Sequence, residues 1–214
     1  MNVSVVLPSF NRARLLPITI PTYFQEDVSE VILVDDCSSD NTAEVVKELQ
    51  TRFPTLRYFR NEVNSKQPYT QNVAISKVQS EYIYFGDDDS VLYPGSIRNL
   101  LNVMREKNAD IVGGRALALF FPEQIDELDE FLSHYRNRIA TEANQIVDLS
   151  TLFTNFTYTV KEPIRVPFCH ASCLCKTQVA REMQFDVKIE GNAYREETDF
   201  LIRATLAGYT IYYT

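Results

Sequence analysis

"EYIYFGDDDSVLYPGSIRNLLNVM", residues 81–104, runs an apolar stretch into three consecutive aspartates and then into a helical pattern. Residues 81–86 read as a buried strand. Beyond Asp87, Asp88 and Asp89, the spacing of Ile97, Leu100, Leu101 and Met104 gives one apolar helix face, with Pro94 near the first helical position. Strand, acidic turn and helix form the unit from which the rest of the chain is read.

Strands and helices alternate upstream as well. "VSVVLP" (3–8) predicts a buried strand, followed by a broken helix over 10–25 that Pro17 and Pro21 limit. "EVILVDD" (30–36) predicts a second strand. A helix follows within 37–53, where Asn41 and Glu44 fit a capping box and Val45, Val46 and Leu49 form the apolar face. A third strand is expected over 56–61, and a helix over 68–78 with Val73, Ile75 and Val78 inward. This alternation predicts an α/β fold, a mostly parallel, doubly wound, Rossmann-like sheet with helices on both faces. Such sheets bind ligands beyond the carboxyl ends of their strands. "LPSFNR", "VDDCSSD" and "GDDD" then share one edge, and Asp35, Asp36, Asp87, Asp88 and Asp89 border one cleft.

Residues 109–214 are less regular. Residues 109–121 read as strand-like, 122–140 as a polar helix, and 141–165 as a loop or lid. A helix over 195–208 ends at Gly208 as its C′ residue, and 209–214 is a last strand. A single domain is expected over 1–214, with a regular 1–108 half and a less regular 109–214 half.

Composition narrows the class. The chain of 214 residues is 45% hydrophobic and 23% charged, a globular profile with a sizeable core. Its net charge of −8, with no basic patch, argues against a nucleic-acid partner. No run approaches the roughly 18 apolar residues of a membrane helix, and the start lacks the features of a signal peptide. The expected location is the cytosol, with attachment at the inner membrane face as a variant. Cys169, Cys173 and Cys175 crowd "FCHASCLCKT" around His170, but the spacing matches none of the usual zinc patterns. They read instead as small apolar residues on a buried strand, with His170 as a core residue.

Five carboxylates on one edge are costly unless a cation neutralises them. Asp87 and Asp89, two apart, could reach one magnesium or manganese ion, hard cations that accept one or two carboxylates and leave room for phosphates. The competing reading is a solvated acidic turn that caps the next helix.

At this point the chain resembles a family. "VSVVLPSFNRARLL", "VILVDDCSSDNTAEVV", "QNVAISKVQSEYIYFGDDDSVLYPGSI" and "YREETDFLIRATLAGYTIYY" together look like the family 2 glycosyltransferases of GT-A fold. The resemblance implies an inverting, hexosyltransferase-type enzyme that uses a nucleotide-sugar donor, UDP by family frequency, with magnesium or manganese. The acceptor would be a saccharide or lipid-linked saccharide. It further implies that Pro8, Ser9, Phe10 and Asn11, with Arg12 close by, hold the base, and that Asp35 and Asp36 contact base and ribose. The family's D-x-D pattern falls on Asp87, toward the ribose, and Asp89, on the metal; Asp88 takes the variable middle place. The helix start "TQN" aligns Gln71 with the family's usual Arg, leaving Lys66 and Asn72 as nucleotide contacts. The late E-D pair falls on Glu196 and Glu197, with Glu197 as base in the Asp position and Asp199 as the fallback. Arg195 is a phosphate or acceptor contact or a surface charge. Phe153, Phe156 and Tyr158 read as core before acceptor groove. The chain stops after "YTIYY", as a minimal product or a C-terminally truncated one.

A nucleotidyltransferase would want a Gly-rich loop after strand 1, and a dehydrogenase a G-x-G-x-x-G; "LPSFNRARLL" has no glycine. A catalytically inactive nucleotide-sugar sensor remains the alternative, since Gln71 and Glu197 depart from the family pattern.

Overall fold

The computed structural model describes residues 3–118, 128–135, 137–151, 153–189 and 195–214. In order come β1 (Val3–Ser9), α1 (Leu16–Tyr23), β2 (Val28–Asp35), α2 (Thr42–Arg52), β3 (Leu56–Arg60), α3 (Lys66–Lys77), β4 (Tyr82–Phe85), α4 (Ser96–Glu106) and β5 (Ile111–Gly113). A short helix α5 (Leu128–Ser133) precedes five two-residue strands: β6 (Ile139–Ala140), β7 (Val147–Asp148), β8 (Phe153–Thr154), β9 (Thr159–Val160) and β10 (Ile164–Arg165). Then follow β11 (Cys173–Lys176), α6 (Thr177–Met183), α7 (Glu196–Leu206) and β12 (Ile211–Tyr213).

Eight strands form one sheet in the order β10-β12-β5-β11-β4-β1-β2-β3. β1 pairs in parallel with β2 and β4, β2 with β3, and β12 with β5. β11 departs from the parallel pattern: it lies antiparallel between β4 and β5, and β10 is antiparallel to β12. The sheet therefore draws strands from both 1–108 and 109–214.

Alternation within each strand explains the layering. Val6, Ile32, Val34, Ile83 and Phe85 face one way, onto Ala74 and Ile75 of α3, Ala180 of α6 and Phe200 of α7. Val5, Leu7, Val31, Leu33 and Tyr84 face the other, onto Leu16 and Ile20 of α1, Val46 of α2 and Leu101 of α4. Strands covered on both faces read as continuous apolar runs, as β1 and β2 do. All four core positions expected on α4 are buried, each worth roughly 1.5–3 kcal/mol. α7 ends in a Schellman arrangement: Gly208 has φ 98°, its N–H reaches Thr205 O at 3.0 Å, and the Tyr209 N–H reaches Ala204 O at 3.1 Å.

Several local expectations change. Asn41 makes no side-chain capping bond; Asp40 instead accepts from the Thr42 N–H (3.1 Å) and hydroxyl (2.6 Å), so the expected capping box does not form. Pro94 precedes a left-handed Gly95 (φ 80°), which is the N-cap of α4. Of the polar helix expected over 122–140, the described part is helical at Leu128–Ser133 and a strand at Ile139–Ala140; 122–127 and 136 lie outside the described residues. The expected loop at 141–165 carries short two-stranded pairings, β6 with β9 and β7 with β8. Cys173, Leu174 and Cys175 sit on buried β11, as the strand reading of that segment expected.

Candidate active site

From β1 the sheet grows one way to β2 and β3 and the other way to β4, so the crevice of the topological switch opens beyond Ser9, Asp35 and Phe85. The strand ends are held together: the Asp36 N–H donates to Ser9 O at 2.8 Å, and the Gly86 N–H to Val6 O at 3.0 Å. Gly86 has no room for a side chain. A Cβ there would stand 2.7 Å from Leu7 Cδ2 and 2.9 Å from Tyr23 Cε1. The acidic turn begins immediately after this contact. The Tyr23 hydroxyl accepts from the Asp87 N–H (3.1 Å) and donates to Asp87 O (2.8 Å), while Thr19 Oγ1 donates to Asp88 O (3.0 Å). α1 thus fixes the backbone of the three aspartates.

Their carboxylates diverge. Asp87 turns inward, and Ser172 Oγ donates to its Oδ2 at 2.9 Å. Burial pushes the Asp87 pKa up, against the pull of Ser172 and nearby His170. Burial also raises Asp88, to about 6. Asp89 is half-exposed, and Arg12 spans the pair: Nε lies 3.7 Å from Asp88 Oδ1 and Nη2 3.5 Å from Asp89 Oδ2. Arg12 thus pairs with the turn in an exposed contact of the kind that contributes little stability.

The other expected nucleotide residues divide into scaffold and rim. Pro8 and Ser9 are buried at the end of β1, whereas Phe10 is 45% exposed. Asn11, at φ 55°, uses its Oδ1 to accept from the Ser39 N–H at 2.7 Å. Asp35 is fully buried and accepts from the Ser38 N–H (2.8 Å), the Tyr58 hydroxyl (2.6 Å) and Arg60 (3.0 Å). Asp36 accepts from the Ser65 and Lys66 N–H groups, both at 2.8 Å, and so caps α3; the exposed Lys66 side chain is left at the rim. Asn72 spends both ends of its carboxamide on the Phe185 backbone, at 2.8 and 2.9 Å. Gln71 is buried, and its Oε1 has no partner among the described residues.

A cavity of about 400 Å³ opens beside Asp87, bordered by Gln67, Phe156, His170, Arg195 and Glu197. Glu196 lines it too, and is almost wholly buried. Arg195, left-handed at φ 69°, starts α7. The α7 N-terminus favours acids there. Gln67 Nε2 donates to Glu197 Oε1 at 3.1 Å. Burial, joined for Glu196 by the Glu197 charge, raises both glutamates above their usual range. Asp199 does not border the cavity: its Oδ2 accepts from Arg203 Nε at 2.8 Å. Phe156 is a cavity wall, Tyr158 packs against the core, and Phe153 is exposed. Gln67, Ser172 and Tyr23 carried no sequence signal, because their roles arise from contacts 64 to 130 residues away.

The raised glutamates make a pH prediction. Ionising them costs more in the fold than in the unfolded chain, so the unfolded chain loses these protons first and stability falls as pH rises above about 5. Glu196→Gln is expected to raise the urea midpoint at pH 8, with the gain shrinking at pH 5. Urea titrations at both pH values check this; equal midpoint shifts at the two would discard the assignment.

Among the described residues no three His, Cys, Asp or Glu side chains converge on one point. One exposed carboxylate, Asp89, with Asp87 behind it, fits a hard ion that takes its remaining oxygens from phosphate and water.

The sequence profile described as "Glycosyl transferase family 2" matches residues 4–173. The GalNAc(5)-diNAcBac-PP-undecaprenol beta-1,3-glucosyltransferase of Campylobacter jejuni is 33% identical over 114 residues, 52% of this chain and 37% of that protein. The poly(ribitol-phosphate) beta-N-acetylglucosaminyltransferase TarP of Staphylococcus aureus is 32% identical over 121 residues, 53% of this chain and 36% of its own. The chain thus spans under two-fifths of these relatives' length. In structure, S. aureus TarS 1-349 superposes with TM-score 0.67 at 18% identity, covering 100% of this chain and 60% of that one. The Pyrobaculum calidifontis mannosyltransferase PcManGT, in complex with GDP-Man and Mn2+, gives 0.65 at 16%, covering 99% and 56%. The fold is that of the GT-A glycosyltransferases.

Proposed function

The chain belongs to glycosyl transferase family 2, and on that premise we propose that it moves a sugar from a UDP-sugar to an acceptor hydroxyl with inversion at the anomeric carbon. One observation carries the reading: the first acid of the strand-end turn, Asp87, and the α7 acid Glu197 border the same cavity. A donor whose diphosphate lies at the turn would place its sugar in that cavity, with Glu197 on the far side.

In this reading Phe10 and the loop that Asn11, Asp35 and Asp36 brace receive the base and ribose, and Arg12 and Lys66 receive the diphosphate. Glu197 takes the proton of the acceptor hydroxyl as that oxygen bonds the anomeric carbon. The bond from that carbon to the diphosphate oxygen breaks, and its electron pair leaves with the nucleoside diphosphate. When bound through Asp89 and Asp87, magnesium or manganese would supply charge neutralisation to the leaving group. Relatives named for a polyprenol-linked saccharide and for poly(ribitol-phosphate) support a lipid-linked or polymeric acceptor, in polysaccharide or glycoconjugate synthesis. Among the described residues no helix is long and apolar enough to cross a membrane. UDP and UDP-GlcNAc complexes of TarS support UDP as the nucleotide.

Calorimetric titration of UDP, GDP and dTDP, with manganese and then with EDTA, tests the reading. Metal-dependent UDP binding, weakened at least about tenfold by Asp89→Ala, is expected. Absence of binding by every nucleotide overturns it. Binding without transfer or hydrolysis favours the sensor alternative.

A further inference from the structure

His170 borders the cavity and has no part in this mechanism. The His170 ring stands edge-on to Phe156, with centroids 5.6 Å apart, and borders the cavity with Asp87 and Glu197. Its Nδ1 accepts the Ser172 N–H at 3.1 Å. A ring nitrogen that accepts a hydrogen bond carries no proton, so the imidazole is neutral and its single N–H is on Nε2. Burial favours the same neutral form. Nε2 has no hydrogen-bond partner among the described residues. Ser172 therefore sets two groups at once: its N–H fixes the ring, and its hydroxyl holds Asp87.

We propose that His170 is a sugar-contacting residue that selects the donor, its Nε2–H donating to an oxygen on the sugar of the nucleotide sugar. The proposal rests on the transferase reading above. A sugar in this cavity needs both acceptors and donors for its hydroxyls. Asp87 and Glu197 supply carboxylate acceptors. Of the donors there, the Gln67 amide is already committed to Glu197, whereas the His170 Nε2–H is not engaged among the described residues. A neutral N–H with one partner position suits a hydroxyl or amide oxygen and adds little toward a diphosphate, which calls for charge. A buried donor of this kind discriminates strongly, because a sugar without the matching oxygen leaves it unpaired.

The test compares UDP, UDP-glucose and UDP-GlcNAc, with manganese, on wild type, His170→Ala and His170→Gln. Gln keeps an N–H donor. UDP affinity is expected to stay within about twofold throughout. The preferred UDP-sugar is expected to lose about tenfold in His170→Ala, with part regained in His170→Gln and the preference between the two sugars reduced. Thermal unfolding of each variant guards against misfolding, and the Gln variant carries the test should Ala fail to fold. Equal weakening of UDP and UDP-sugar, or an unchanged sugar preference, overturns the role of His170 alone. Failure of wild type to bind UDP or either UDP-sugar overturns the reading beneath it.

Discussion

Glu197→Gln is expected to lower the transfer rate by about 10²–10⁴-fold while UDP-sugar affinity stays within about threefold. Gln keeps the volume and can still meet the Gln67 amide, but it cannot take the acceptor proton. No neighbour replaces it. Glu196 is almost wholly buried, and the Glu197 charge helps to hold it protonated. Asp199 is tied to Arg203 at 2.8 Å and lies outside the cavity lining, so Asp199→Asn should leave the rate within about threefold. Measuring UDP release at saturating donor alongside calorimetric donor binding separates the two variants. A loss below tenfold in Glu197→Gln, or an equal loss in Asp199→Asn, would move the base elsewhere.

Gly113→Ala is expected to destabilise the fold by about 3 kcal/mol, the upper end of overpacking costs. A Cβ on Gly113 would stand 2.4 Å from Cys169 Cβ and 2.6 Å from its Sγ, and Cys169 is 3% exposed. The backbone cannot retreat, because β5 is paired on one side to β11 and on the other to β12. The thermal midpoint should fall by about 10 °C, as roughly 2–4 °C per kcal/mol applies at this size. The pairing can be checked by a second site: Cys169→Gly removes the opposing atoms and should recover part of the loss. Full additivity of the two changes would show that the clash is absorbed elsewhere.

The α/β class was legible because each expected strand is a short apolar run, and the helices between them carry faces of period 3.6, as α4 does at Ile97, Leu100, Leu101 and Met104. The strand-end rule alone gathers Ser9, Asp36 and the three aspartates at one edge. The details that could not be read are those decided by partners far along the chain. Asn72 looked like a cleft residue, yet the chain at Phe185 returns to occupy its amide. His170 is partly buried beside three buried cysteines and also borders the cavity, a position that the sequence around it does not signal. The direction of β11 was equally unreadable, since four residues state burial and not polarity.

That antiparallel strand bears on how the protein is made. β11 inserts between β4 and β5, yet it is synthesised some ninety residues after β4. A ribosome adding about 5–20 residues per second leaves β4 with an open edge for several seconds. "YIYF" is an aromatic strand with one flank already paired to β1, the kind of edge onto which another chain can add. Vectorial synthesis therefore cannot complete the 1–108 part of the sheet first and add the rest later. One flank of β4 stays unpaired until residue 176 has been made, and β5 gains its other neighbour only with β12 at Ile211–Tyr213.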